Sequence, residues 1–273
     1  MWVDTLGMHA KAPGGFAGHD RDVHDRPEQR SHRRTPPSGA AMSAPATGKR
    51  AAAAAALAYI TSETVIGVGT GTTVACFIDA LGEGGTSVTS AVATSVDTER
   101  RLRRIGITPL PLEAADKPIA IYVDGADEID RFGRAIKGGG GAHTREKRVA
   151  ESSTTWVCIV DESKVVEHLG TRRPVPLEVV RTELDGVIAH VRALGGTPAI
   201  RAGSPELEGN RLVDVHDLDL TDPLRMEEIL ESIPGVIACG IFARRRADVI
   251  LVGREDDSVL TLAPDDVTSS GRS

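Results

Sequence analysis

The feature that most constrains this chain is a regular alternation of short apolar runs with helix-forming stretches, which begins near Lys49. An Ala-rich helix predicted through Tyr59 is followed by a β-branched run at 64–68, a glycine turn and a second helix-forming stretch to Leu81. Such an alternation is typical of α/β proteins, in which parallel strands are joined by helices that cover the sheet. We therefore predict an α/β fold with a mostly parallel sheet.

The order of elements changes near Pro176. Before it, the sequence predicts strands at 88–94, 119–123 and 156–160 and helices at 96–105 and 144–152. After it, strands are predicted at 177–180, 198–201 and 211–215 and helices at 185–194 and 223–233, the last opened by Asp222-Pro223. We predict an α/β catalytic domain of residues 47–175 with 239–265, to which a strand at 249–252 returns, and a smaller α+β domain at 176–238.

The two ends of the chain lie outside this pattern. Residues 1–46 are rich in Gly, Pro, Arg and His and have no apolar periodicity, and their histidines follow no metal-ligand spacing. Such a segment cannot bury enough apolar surface to offset its ordering entropy, so we predict a disordered extension at 1–46 and a flexible tail at 266–273. A second hypothesis is that synthesis starts at Met42; native protein whose intact mass begins at Met1 would contradict it.

Charge and composition exclude some functions. A formal net charge of -7 argues against a nucleic-acid surface, which needs clustered Lys and Arg, although a small anionic ligand remains possible. The three cysteines have no metal or redox spacing and are interpreted as reduced core residues. No apolar stretch approaches the ~20 residues of a membrane span, and the start has no secretory-signal pattern. We expect a cytoplasmic protein without a membrane partner.

Two glycine-rich motifs precede predicted helices. Residues 67–73 (GVGTGTT) could offer an anion the amides of a helix N-terminus together with Thr hydroxyls, but a ligand-free turn is an equally good interpretation. Thr72 stands where a dinucleotide fingerprint needs Gly, and a Walker lysine is missing. Lys137 precedes four glycines at 138–141, and only two further residues separate these from a predicted helix, which is poor context for a linker. Alone, Lys137 and Glu146 remain ambiguous, and for His143 surface or loop packing is favoured over catalysis.

Two charged motifs directly follow apolar strands. Residues 124–130 (DGADEID) follow the strand at 119–123, and residues 161–164 (DESK) follow the strand at 156–160. Ligands of open α/β sheets bind outside the carboxyl ends of the strands. The carboxylates could act as acid/base groups or metal ligands, and Lys164 could reach a phosphate. Taken singly, the motif at 124–130 is better explained as a solvated acidic loop, and the motif at 161–164 could be an ordinary charged loop.

Taken together, these segments resemble the type A ribose-5-phosphate isomerases. The resemblance rests on residues 66–73, 94–95 with Thr98, 122–129, 136–147, 161–164, 176–179, 195–198 and 234–236, in matching order from about Lys49 to Gly253. Each motif alone is weak, whereas several in register are highly specific. The departures are Thr72 for a common Ser, His143 for a common Leu, and residues 238–242.

The resemblance implies an aldose-ketose isomerase of the non-oxidative pentose phosphate pathway, which converts D-ribose 5-phosphate to D-ribulose 5-phosphate through an enediol(ate). It implies an α/β domain that carries a smaller α+β domain, and a homodimer or homotetramer. It also implies that Glu146 is the catalytic base and that Asp124 and Lys137 assist ring opening and stabilise the enediolate. The implied substrate-binding residues are Thr70, Gly71, Thr72, Thr73, Asp124, Gly125, Ala126, Asp127, Lys137, Gly138, Gly139, Gly140, Lys164 and Lys49.

The chemistry is consistent with these residues. Moving a carbonyl to the adjacent carbon requires removal of a proton beside it, which a carboxylate can do if water is excluded and the developing oxyanion is stabilised. No metal or redox cofactor is chemically necessary, so none is predicted. A phosphosugar-sensing regulator would need a DNA-binding helix-turn-helix, which the sequence does not predict. A deaminase, a lactonase or a coenzyme A transferase could share the scaffold, but Glu146 with Asp124 and Lys137 favours isomerisation.

Overall fold

The computed structural model describes residues 44–61, 65–202 and 209–264, and it confirms the predicted fold class. The strands, in chain order, are β1 (Val65–Val68), β2 (Ser90–Ala93), β3 (Thr108–Leu110), β4 (Ile119–Asp124), β5 (Glu128–Ile129), β6 (Ala135–Ile136), β7 (Ser153–Asp161), β8 (Val175–Val179), β9 (Thr197–Ile200), β10 (Arg211–His216), β11 (Val236–Cys239), β12 (Ile241–Phe242), β13 (Val249–Gly253) and β14 (Val259–Leu262). The α-helices are α1 (Ala44–Ala56), α2 (Thr72–Gly84), α3 (Val96–Arg104), α4 (His143–Glu151), α5 (Leu184–Ala193) and α6 (Pro223–Ser232).

The main sheet is almost entirely parallel. Within the described residues it contains seven strands in the order β14-β13-β7-β4-β1-β2-β3, and only the pair β13 and β14 is antiparallel. Its interior strand β7 is buried from Trp156 to Asp161, as expected for a strand covered by helices on both faces of a sheet. Because β1, β4 and β7 are parallel neighbours, their carboxyl ends lie at the same edge.

The other strands of the described residues form two smaller antiparallel sheets. Strands β11, β8, β10 and β9 pair in that order, and an apolar core that includes Leu177, Val191 and Leu230 joins this sheet to α5 and α6. A further sheet has the order β12-β6-β5, in which Ile241 pairs with Ile136. The residue after β6 is Lys137, and its N–H donates to the carbonyl of Gly240 at 2.9 Å. This bond ties the predicted catalytic lysine to the turn between β11 and β12.

Most predicted elements agree with the structure to within a few residues. The strand predicted at 249–252 does return to the main sheet, as β13 beside β7. The short strands β3, β5, β11 and β12 and the edge strand β14 were not predicted. Helix α1 begins at Ala44, so the last three residues of the predicted 1–46 extension are helical. The rest of that extension, the Met42 hypothesis and the 266–273 tail lie outside the described residues.

The described helices are too short or too polar to cross a membrane.

Candidate active site

The glycine turn between β1 and α2 lies directly against the carboxylate that ends β4. A Cβ atom on Gly69 would lie 1.8 Å from Asp124 Oδ1, so only glycine fits there. Asp124 Oδ1 accepts hydrogen bonds from the N–H groups of Thr70 (3.1 Å) and Gly125 (2.7 Å). Helix α2 then begins at Thr72, so the amides of its first turn face the same edge of the sheet.

The start of α3 holds this glycine turn in place. Ser95 caps α3 by accepting the N–H of Thr98 at 3.1 Å, and its hydroxyl lies 2.7 Å from Thr70 Oγ1. The Thr98 hydroxyl donates to the carbonyl of Gly69 at 2.7 Å. Ser95 and Thr98 therefore fix the two ends of the Gly69-Thr70 segment, a role that the sequence analysis did not assign to them.

Three charged side chains meet at the end of β4. The Lys137 ammonium donates to Asp124 Oδ2 at 2.7 Å and to the Gly125 carbonyl at 2.6 Å. It also lies 3.3 Å from Glu146 Oε2, an ion-pair distance without hydrogen-bond alignment. Glu146 lies in the first turn of α4, and all three side chains are at most 4% exposed. The group combines two carboxylates with one cation in a dry environment.

Three aromatic side chains, Tyr122, Trp156 and Phe242, pack against the charged group on the side of the protein core. The Tyr122 hydroxyl donates to Asp124 Oδ2. The Lys137 ammonium lies 5.8 Å from the centroid of the Trp156 ring and 5.6 Å from that of Phe242, within the range of cation–π attraction. Because these three side chains are fully buried, they exclude water from the core side of the charged group.

The charged group opens into a cavity of about 140 Å³ at this edge of the sheet. The residues that line it are Lys49, Thr70, Gly71, Thr72, Thr73, Gly125, Ala126, Asp127, Lys137, Gly138, Gly139, Gly140, Glu146 and Lys164. A larger cavity of about 360 Å³ lies on another side of α4, but its guanidinium groups, from Arg103, Arg145 and Arg148, are exposed. The smaller cavity is the candidate site because it alone contains the buried carboxylate and ammonium.

Comparisons with known proteins identify the family. Residues 90–257 match the family model described as ribose 5-phosphate isomerase A (phosphoriboisomerase A). A ribose-5-phosphate isomerase A from Acidithiobacillus ferrooxidans is 49% identical over 205 residues, which cover 75% of this chain and 93% of the relative. The chain belongs to the ribose 5-phosphate isomerase A family.

Solved structures of the same family share the fold. The ribose 5-phosphate isomerase A of Neisseria gonorrhoeae is 41% identical, with a TM-score of 0.78 over 81% of this chain and 98% of that one. A D-ribose-5-phosphate isomerase in complex with phospho-erythronic acid is 36% identical, with a TM-score of 0.74 over 79% of this chain and 97% of that one. As a ribose 5-phosphate isomerase A, the chain is an aldose-ketose isomerase.

The structure brings together almost all residues that the family resemblance had implied. Every implied substrate-binding residue lines the cavity except Asp124, which is 0% exposed. Four donors surround its carboxylate, namely Lys137, the Tyr122 hydroxyl and the amides of Thr70 and Gly125. Asp124 is thus in contact with the residues that line the cavity, and its expected direct contact with the substrate stays a prediction.

Burial shifts the proton affinities of the site. Desolvation raises the pKa of Glu146 to about 8, with further increases from Asp124 and Asp127, although the Lys137 ammonium acts in the opposite direction. Burial also disfavours the Lys137 ammonium, but the carboxylates of Asp124 and Glu146 outweigh this effect and raise the pKa of Lys137. The lysine therefore stays charged, whereas Glu146 can exchange a proton near neutral pH.

His143, a departure from the family pattern, lies beneath the glycine loop. Its ring is fully buried, with Nε2 3.3 Å from the Ala238 carbonyl and Nδ1 facing Gly138. Burial lowers the pKa of His143 to about 4, so the ring is neutral at ordinary pH. We assign it a packing role at the start of α4, in agreement with the sequence interpretation.

Proposed function

We propose that this chain interconverts D-ribose 5-phosphate and D-ribulose 5-phosphate, with Glu146 as the base that carries a proton between carbons 1 and 2. The observation that carries the proposal is the Glu146 carboxyl group, buried at the cavity wall 3.3 Å from the Lys137 ammonium. A carboxyl group whose pKa lies near 8 can both accept and return a proton at neutral pH.

The reaction follows from this arrangement. The Glu146 carboxylate removes the proton from carbon 2 of the open-chain aldose, and the electron pair of the C–H bond moves so that the carbonyl oxygen on carbon 1 becomes an enediolate oxygen. The protonated Glu146 then gives its proton to carbon 1. The hydroxyl proton on oxygen 2 passes to oxygen 1, which leaves the carbonyl on carbon 2. Atoms and charge balance without another reactant.

The enediolate needs positive charge close to the developing oxyanion. Lys137 supplies it as an ammonium that is held in place by Asp124 and the Gly125 carbonyl before substrate binds. Its position in a buried site makes the attraction stronger than it would be in water. In this proposal Asp124 acts through Lys137, because its own oxygens are already occupied by donors.

The other end of the cavity suits a phosphate group. Residues Thr70–Thr73 present hydroxyls and the first-turn amides of α2, and the side chains of Lys49 and Lys164 line the same cavity. Lys49 Nζ is 4.0 Å from Asp161 Oδ2, a loose pairing that leaves its charge available. A related isomerase has been solved in complex with phospho-erythronic acid, a ligand that carries a phosphate and a carboxylate.

The proposal is tested by Glu146→Gln, which keeps the shape of the side chain and removes its proton-accepting ability. We expect turnover of ribose 5-phosphate to fall by about 10²- to 10⁴-fold, since general base catalysis contributes that much. Binding of phospho-erythronate, measured by calorimetry, should be largely retained. Glu151→Gln, at the exposed end of the same helix, is the matched control and should keep normal turnover. Near-normal turnover in Glu146→Gln would refute the assignment.

Three further expectations from the sequence stay predictions. We expect a homodimer or homotetramer, which sedimentation velocity would test, and a cytoplasmic location, which fractionation of the source cells would test. We also expect the reaction to need no metal, because the proton transfer uses only side chains of the chain itself. Loss of activity on treatment with a chelator, restored by a divalent cation, would contradict this last expectation.

A further inference from the structure

A side chain of the small antiparallel sheet reaches into the active-site loop. Arg201 directly follows β9, and its NH1 group donates to the carbonyl oxygens of Gly138 (2.9 Å) and Gly139 (3.2 Å). Asp214 of β10 holds the same guanidinium from behind, since Nε donates to Oδ2 at 2.8 Å and NH2 donates to Oδ1. Bidentate pairing of this kind fixes the direction in which a guanidinium points.

Backbone N–H groups of the glycine loop at 138–141 also form hydrogen bonds that fix its conformation. The N–H of Gly139 donates to Asp127 Oδ2 at 2.7 Å. The N–H of Gly141 donates to the Gly138 carbonyl at 2.9 Å and closes a tight turn. The peptide between Gly138 and Gly139 is therefore clamped from two directions, by Arg201 at its carbonyl and by Asp127 at its amide.

The contact with Arg201 also orients the next peptide of the loop, between Gly139 and Gly140. In a trans peptide the C=O and N–H groups point in opposite directions. Because the Gly139 carbonyl points toward Arg201, the N–H of Gly140 points away from it. Gly140 lines the catalytic cavity, and within the described part of the chain its N–H has no hydrogen-bond partner. Free amides of this kind are the donors from which oxyanion sites are built.

We propose that Arg201 is a positioning residue for the isomerisation, which orients the Gly140 N–H toward the oxygen that becomes negatively charged. The inference rests on the proposed function and deepens it. Arg201 and Asp214 are each 19% exposed, so their attraction is only partly screened by solvent. The guanidinium also interacts favourably with the negative ends of two peptide dipoles. The N–H of the first peptide is bound by Asp127, so only the Gly140 N–H of the second is available to a ligand.

The test is a comparison of Arg201→Ala with wild type in steady-state kinetics. We expect kcat to fall about 10- to 100-fold, as for loss or misplacement of one oxyanion donor, while KM changes by less than about twofold. Millimolar guanidinium, far below denaturing concentrations, should restore part of the lost kcat in Arg201→Ala. Arg225→Ala, which removes an exposed guanidinium from α6, is the matched control and should retain wild-type kcat with and without guanidinium.

Two milder variants keep the proposal testable if Arg201→Ala folds poorly. Arg201→Lys retains a cation without the planar fork and should recover only part of kcat. Asp214→Asn leaves Arg201 in place with a weaker anchor and should lose less activity than Arg201→Ala. A normal kcat with a lowered Tm would overturn the proposal, because Arg201 would then only join the small sheet to the loop. A raised KM with unchanged kcat would overturn it too.

These outcomes are distinct from failure of the proposed function. Glu146→Gln tests the base directly, because it changes neither Arg201 nor the contacts of the glycine loop. If Glu146→Gln were active, the role of the base would be wrong. If Glu146→Gln were inactive while Arg201→Ala kept its full kcat, the base would stand and the positioning role would be wrong.

Discussion

Two buried lysines near the start of α4 have very different surroundings. Lys147 is the neighbour of Glu146 in sequence, and its ammonium donates to Glu227 (2.7 Å), Glu231 (2.6 Å) and the Ile241 carbonyl (2.8 Å). All three of its protons therefore have an oxygen partner. The remaining oxygens are also occupied, because Glu227 Oε2 accepts two backbone N–H groups and Glu231 Oε2 accepts Arg244.

The Lys137 cluster is not saturated in this way. Its ammonium has good hydrogen bonds to Asp124 and Gly125, but Glu146 Oε2 is buried and has no hydrogen-bond partner among the described residues. A saturated ionic cluster holds elements together, whereas an unsatisfied buried carboxyl group costs stability and can react. Helix α4 therefore contributes Lys147 to a structural charge cluster and Glu146 to a reactive one. The two clusters differ in whether their buried charged groups have all their hydrogen-bond partners.

The largest expected effect is a loss of activity on substitution of Lys137. Lys137→Met should lower kcat by about 10²- to 10³-fold, because it removes the cation that stabilises the enediolate. The free energy of unfolding should change less than in the corresponding Lys147 variant, since Asp124 keeps three other donors. Steady-state kinetics and urea unfolding on the same preparation measure both quantities. A Lys137→Met enzyme with kcat near wild type would show that Lys137, like Lys147, has only a structural role.

The second prediction concerns the saturated cluster. Lys147→Met should lower the free energy of unfolding by about 3–5 kcal/mol, because it leaves the buried Glu227 and the partly buried Glu231 without their ammonium partner. Arg148→Met is the matched control: its pair with Glu113 is exposed, so its loss should cost at most about 1 kcal/mol. Urea unfolding measures the difference. Equal effects in the two variants would show that the cluster does not contribute in this way.

The third prediction is a pH profile. Glu146 must be ionised to accept the proton, and burial raises its pKa to about 8. The value of kcat/KM should therefore rise with pH, reach half of its plateau near pH 8 and level off above that pH, since this ratio reports on groups of the free enzyme. Initial rates over a pH series at low substrate concentration measure it. An acid limb near pH 4.5, the ordinary value for a glutamate, would contradict the proposed desolvation.

The smallest effect is on stability. Because the pKa of Glu146 lies near 8 in the folded chain and near 4.5 when unfolded, the folded state binds the extra proton between these values. Stability of the wild type should fall as pH rises through this window. Glu146→Gln cannot ionise, so its free energy of unfolding should exceed that of the wild type by more at pH 8 than at pH 5. Thermal melts at both pH values measure the gap, and a gap that shrinks with rising pH would argue against it.

Long segments with a clear apolar period could be predicted from the sequence, whereas very short strands could not. The nine-residue strand β7 and the capped helix α6 carry strong local signals, so their existence was predictable. The two-residue strand β12 has no periodicity of its own and forms only because Ile241 meets Ile136 from a distant part of the chain. The edge strand β14 is similarly defined by its pairing with β13.

The same contrast holds at the site. Glu146, Lys137 and the glycines were proposed from motifs that lie close together in sequence. Arg201 had no such signal, since a single arginine after a strand is usually solvated, and its contact with Gly138 joins two separate sheets. Tyr122 was quoted within a motif but received no role, because a tyrosine two residues before an aspartate does not reveal that the side chains bond.

By itself, the sequence determined the α/β class, the family resemblance and the candidate chemical groups, because each depends on residue types at short spacing along the chain. Only the tertiary structure decided that Asp124 is fully buried and bonded to Lys137, that Glu146 Oε2 has no hydrogen-bond partner among the described residues while the Lys147 ammonium has three, and that Arg201 reaches the glycine loop. Burial and partner geometry depend on contacts between distant segments, and local sequence carries little information about these.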